Sequence, residues 1–105
     1  MKIQSMTSPR TGKAVANQFV ILERGNGANG NFIKRKTLQS YDSIIATVTT
    51  WALDGFSVSK DVVLDETYWN YSKTTSKYRA QFLGETTKET QEKINNGTYK
   101  LANLN

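Results

Sequence analysis

Residues 14–23 (AVANQFVILE) favour extended backbone, and residues 32–39 (FIKRKTLQ) resume that character after the polar, glycine-rich interval RGNGANGN. The pair reads as two strands joined by a flexible hairpin connection. A different spacing begins at Ser40. Ile44, Ile45, Val48, Trp51 and Ala52 recur as one face of a helix would, with Ser40 or Asp42 available as N-cap and Asp54-Gly55 as the stop. Residues 56–64 (FSVSKDVVL) alternate as a third strand, and Asp65-Glu66-Thr67 turns the chain into the aromatic cluster Tyr68-Trp69-Asn70-Tyr71.

Two further helices follow from their end signals. Residues 75–83 carry Tyr78 and Phe82 four apart, with Ser72, Thr74 or Thr75 as cap and Gly84 as the terminating glycine. Thr86-Thr87-Lys88-Glu89 matches a capping box and opens a polar helix ending at Asn95-Asn96-Gly97. Residues 98–104 alternate at Tyr99 and Leu101 and add an edge strand. The opening 13 residues hold the only proline and show no apolar period, so they read as an extended or flexible arm. The expected fold is a single α+β domain, a small antiparallel sheet with three helices in the order ββαβααβ.

At 105 residues one modest core is affordable, and the aromatics must help build it. No apolar run is long enough to cross a bilayer, and the first residues lack the apolar stretch of a signal peptide. A cytoplasmic protein without membrane contact is expected. The absence of cysteine removes disulfides and thiolate metal sites. Without histidine as well, the imidazole acid–base and the thiolate nucleophile are both missing, which argues against an enzyme. Asp61, Asp65 and Glu66 offer oxygens for a hard cation, but three acids around a turn read as solvated surface. No cofactor and no metal is expected.

Charge is unevenly spread. Residues 1–40 carry seven Lys/Arg against one acid, residues 41–71 one Lys against five acids, and residues 72–105 six bases against three acids. A basic face formed by the two outer segments would suit an anionic partner. Gly25-x-Gly27-x-x-Gly30 has the spacing of a dinucleotide loop, but that loop must lead into a helix and here it leads into a strand. Lys34-Arg35-Lys36 is better placed for phosphates, with Lys34 and Lys36 on one side of the strand and Arg35 on the other. The competing reading is an edge strand guarded by lysines. In residues 68–79 aromatics interleave with cations, as in surfaces that stack bases while following a phosphate backbone. There Trp69, Tyr78 and Phe82 read as core, while Tyr71, Lys73, Lys77 and Arg79 are the binding candidates.

The segments SPRTGKAVANQF, LQSYDSIIA, YWNYSKTTSKYRAQFLGETTKET and INNGTYKLANL together resemble a family of small uncharacterised proteins that recur in phages and mobile elements of gut and Gram-positive bacteria. The resemblance spans most of the chain, apart from the glycine loop and residues 49–60, and carries no catalytic motif. It implies an accessory protein working in the host cytoplasm. Two expectations follow. The first is a non-enzymatic binder of nucleic acid, DNA before RNA, with low sequence specificity. The second is an anti-defence inhibitor, in the manner of an anti-CRISPR, that contacts a host nucleic-acid-processing protein. Oligomeric state is left open.

Overall fold

A computed structural model describes residues 1–27, 32–53 and 57–105. Their elements are β1 (Lys2–Thr7), β2 (Ala14–Arg24), β3 (Phe32–Ser40), β4 (Ser43–Ala52), β5 (Val58–Asp65), α1 (Lys73–Leu83), α2 (Thr87–Asn95) and β6 (Lys100–Ala102). All six strands join one sheet in chain order. The first five form an antiparallel meander, and β6 adds to β5 in parallel. Parallel neighbours need a long crossover, and α1 and α2 supply it.

The expected order ββαβααβ with three helices is therefore wrong: the chain is a six-stranded mixed sheet with two helices. The error lies in residues 43–52. Six of the ten residues of β4, SIIATVTTWA, are β-branched, and their stiff side chains suit a pleated surface better than a helix. What imitates a helical period is a register irregularity. Leu38 pairs with Ala46 but the next residue, Gln39, pairs with Ile44, so Ile45 is the extra residue of a bulge. The bulge breaks strict alternation at the two isoleucines. The expected stop at Asp54-Gly55 lies outside the described residues.

The two real helices follow their cap chemistry. Ser72 Oγ accepts from the Thr75 N–H at 3.1 Å, and Gly84 ends α1 in the left-handed region at φ 71°, its N–H bonded to the Ala80 carbonyl. Thr86 and Glu89 form the reciprocal capping box of α2. Within the opening 13 residues, Lys2–Thr7 form the edge strand β1, paired with β2.

α1 lies on one face of the sheet, over β3 and β4. Tyr78 packs with Leu38, Ile45 and Met6, with Val15, Val20, Tyr68 and Phe82 around them. The row beneath it, Val20, Leu38, Ala46 and Leu64, runs in register across β2 to β5. Three of these four are completely inaccessible. α2 touches the rest differently. Its only buried residue is Thr90, whose hydroxyl donates to Glu85, and the same carboxylate receives the Lys93 ammonium at 2.5 Å.

Among the described residues α1 leaves the opposite face of the sheet uncovered. The row Ile3, Ile21, Thr37, Thr47 and Val63 crosses it from β1 to β5. The last residues fold back beside it: Asn105 bonds both the N–H and the carbonyl of Ile44 through its side chain, and the Leu104 N–H donates to Asp65. Among the described residues no helix is long and apolar enough to cross a membrane.

Candidate nucleic-acid interface

Strand register assembles a cationic patch that no contiguous stretch of sequence contains. Directly paired residues share a face, so the pairings Arg24 with Lys34, Lys34 with Thr50, and Thr50 with Lys60 place three cations in one row across β2 to β5. The adjacent row runs Lys2, Leu22, Lys36, Val48 and Val62. Both rows lie on the face that carries α1. Lys36 marks where helix cover ends, its Nζ standing 5.7 Å from the Phe82 ring in the last turn of α1. Lys2, Arg24, Lys34 and Lys60 are exposed.

With strands about 4.8 Å apart, Arg24 to Lys60 spans about 14 Å, and the second row lies about 7 Å further along the strands. Neither row contains an acid. The nearby carboxylates Glu23 and Asp61 sit at alternate positions and so belong to the opposite face. Among the described residues the only ion pair is Lys93–Glu85, remote in sequence from both rows. Arg24 opposite Lys34 is moreover a like-charge pair at a directly facing position, which works against the sheet by several tenths of a kcal/mol. The two rows thus form a positively charged strip with no ion pair to an acid among the described residues.

The candidates read from sequence divide into four groups. Lys34 and Lys36 join the patch. Arg35 is on the other face, its guanidinium 4.4 Å above the Phe32 ring and its Nε donating to Thr49 Oγ1 at 3.1 Å. Lys73 and Lys77 are exposed on α1, Lys77 lying 5.4 Å from the Tyr78 ring, and Tyr71 is 70% exposed just ahead of that helix.

Arg79 belongs inside. It is fully buried, with Nη1 donating to the Trp69 carbonyl at 2.6 Å and to Asn70 Oδ1 at 3.3 Å, and Nη2 donating to Thr87 Oγ1 at 2.6 Å. Its Cζ stands 5.1 Å from the Trp69 ring. Burial lowers the guanidinium pKa, while the charge of Glu85 pulls it back up. Its Nε–H has no partner but is buried with the rest of the side chain, so Arg79 presents no donor to a phosphate in solvent and its place is structural.

Lys2, Arg24 and Lys60 were missed by sequence reading. Arg24 and Lys34 flank the glycine loop almost symmetrically, which a hairpin pairing would have revealed. Lys60 needed β4 to be a strand. The glycine loop itself connects two paired strands, and Gly25 serves close approach: a Cβ there would fall 1.9 Å from the Phe32 carbonyl oxygen. Gly30 lies outside the described residues. Of the acids weighed as cation ligands, Asp65 is buried and spends its oxygens on the N–H groups of Thr67, Tyr68 and Leu104.

A family model described as a family of unknown function, DUF8033, matches residues 1–97. The chain belongs to this family. The match takes in β1 to β5 and both helices, and so every residue of the cationic rows. No curated protein and no solved structure matches the chain.

Proposed function

We propose that this protein is a non-enzymatic accessory protein of a phage or mobile element that binds nucleic acid through its phosphates, DNA in the first instance, with low sequence specificity. The observation that carries the reading is the facing of Arg24 and Lys34 in a row extended by Lys60 and backed by Lys36 and Lys2, with no acid among them. Ammonium and guanidinium groups on a sheet contact backbone phosphates without reading base edges, so affinity comes from counterion release. The mobile-element setting rests on the sequence resemblance alone.

The test is a titration of binding to a labelled oligonucleotide over a range of salt. Affinity is expected to fall linearly in log salt. Replacing Arg24, Lys34 and Lys60 together by Gln should flatten the slope by roughly one unit per lost phosphate contact. Arg79 is no part of this surface. No binding by the wild type at low salt would overturn the proposal.

The face turned away from α1 favours a second reading, an inhibitor that docks on a host nucleic-acid-processing protein. That face holds a hollow of about 400 Å³ lined by Thr37, Thr47, Thr49, Trp51 and Val63, with Glu23, Arg35 and Asp61 in the same lining. Neighbouring Ile3 is 59% exposed. Apolar positions with an aromatic and an arginine are typical anchors for a protein partner. Such binding would depend on Trp51 and Arg35 and vary less with salt.

A further inference from the structure

A second cavity, of about 300 Å³, opens on the helix-bearing side beside the start of α1. Its lining includes Tyr41 and Tyr71, the most exposed aromatic side chains in the described chain, at 53% and 70% exposure. Tyr71 is buttressed edge-on by Tyr68, ring centroids 5.3 Å apart at 68°. Ile45, almost wholly buried, is the apolar member of the lining, and the Ser40–Thr75 hydroxyl pair, 3.1 Å apart, is its buried polar member.

Tyr41 is held there against its own preference. Its φ of 55° is left-handed, a genuine outlier for a bulky side chain. Its N–H donates to the Asn17 carbonyl at 2.7 Å, and its carbonyl accepts from Gln39 Nε2 at 2.9 Å. Asn or Gly would occupy the position without strain, so placing the ring here costs backbone energy.

We infer that this cavity is a slot for one unpaired nucleobase, stacked on Tyr71 and Tyr41. The chemistry fits a flat neutral heterocycle. The lining offers aromatic faces, one apolar side chain, and hydroxyls that can each donate or accept, and it contains no charged group. A saccharide would want carboxylates or amides for its paired hydroxyls, and the lining has neither. Lys73 follows the lining residue Ser72 in the chain, and the first turn of α1 has no acid to repel the attached phosphate. Because every base has a stacking face, the slot tolerates any sequence but requires a base out of the duplex. The inference rests on the nucleic-acid reading and sharpens it to single strands or strand ends.

The test titrates thymidine monophosphate, thymidine and 2-deoxyribose 5-phosphate into the isotope-labelled protein, following backbone and side-chain resonances of Ile45, Tyr41 and Tyr71. The two base-containing probes should shift them and the base-free sugar phosphate should not. Tyr41→Gly relieves the backbone and should keep or raise Tm, yet lose these shifts and bind a single-stranded oligonucleotide about tenfold more weakly, as should Tyr71→Ala. Duplex binding should stay as in the wild type. Equal shifts from the sugar phosphate, or wild-type single-strand affinity in both variants, would overturn the slot. The mononucleotide titration reads the slot without the cationic rows. A protein that binds thymidine monophosphate but no oligonucleotide therefore refutes the phosphate surface alone, and the reverse result refutes the slot alone.

Discussion

Arg79 Nη2 donates to Thr87 Oγ1 across 2.6 Å, so one buried guanidinium on α1 holds the first residue of α2. The same side chain holds the Trp69 carbonyl in the loop that leads out of β5. Removing it takes the donor from the part-buried Trp69 carbonyl and from the Thr87 hydroxyl together. Arg79→Ala is expected to cost about 3 kcal/mol, since bonds to a charged donor are each worth about 1.5–3 kcal/mol. Denaturant unfolding checks the loss. Oligonucleotide affinity of the folded protein should match the wild type, which separates this arginine from a phosphate ligand.

Lys34→Glu should move stability and binding in opposite directions. It turns the facing Arg24–Lys34 pair from repulsive to attractive, worth about 0.5 kcal/mol in favour of the fold. It also puts an anion in the middle of the cationic row. A slightly raised Tm together with lost oligonucleotide binding is the expected outcome. Unchanged binding would remove Lys34 from the surface.

Two acids make stability fall in acid. Burial raises the pKa of Asp65, but the N–H groups of Leu104, Tyr68 and Thr67 and the side chain of Asn105 outweigh it and leave the pKa below its ordinary 3.8. For Glu85, burial is likewise outweighed by bonds from Lys93, Thr90 and Tyr99, and the pKa lies below 4.5. A folded pKa below the unfolded one gives stability that is complete above the unfolded value and fades as pH drops through the folded one. The protein should therefore hold its stability down to about pH 5 and lose it progressively below pH 4. Asp65→Asn should cost about 2 kcal/mol near neutrality and flatten the acid limb, as followed by thermal unfolding across pH.

Helix ends were the most legible part of this chain, because caps act locally. Ser72, Gly84 and the Thr86/Glu89 box act within a few residues of where they stand, and the helices start and stop accordingly. β4 was illegible because its bulge at Ile45 is a property of pairing with β3, and pairing partners cannot be seen in the strand's own spacing. The same limit explains the site. Lys34 and Lys36 could be assigned to one face from alternation, but Lys2, Arg24 and Lys60 join them only through register. Arg79 looked like its solvent-facing neighbours Lys73 and Lys77. Nothing in the local pattern tells a guanidinium held between the preceding loop and the start of α2 from one left in water. Tyr71 was picked out for its company of cations. Tyr41, one residue past the end of β3, gave no signal before its backbone angle was known.

The pairing of β6 with β5 has a consequence for the order in which the molecule assembles. Strands β1 to β5 each neighbour the next in sequence, so successive hairpins can close as they leave the ribosome, with short loops and little entropy to overcome. β6 has no such partner at hand. It can dock only after 34 residues of connection, numbers 66–99, have been made and folded into two helices. Until then the carboxylate of Asp65 lacks the N–H of Leu104, and the last three residues of β5 lack their partners in β6. A nascent chain halted before residue 100 would therefore carry the five-stranded meander with Val63, Leu64 and Asp65 of β5 unpaired in addition to the β1 edge, and so with more open backbone for aggregation than the finished sheet.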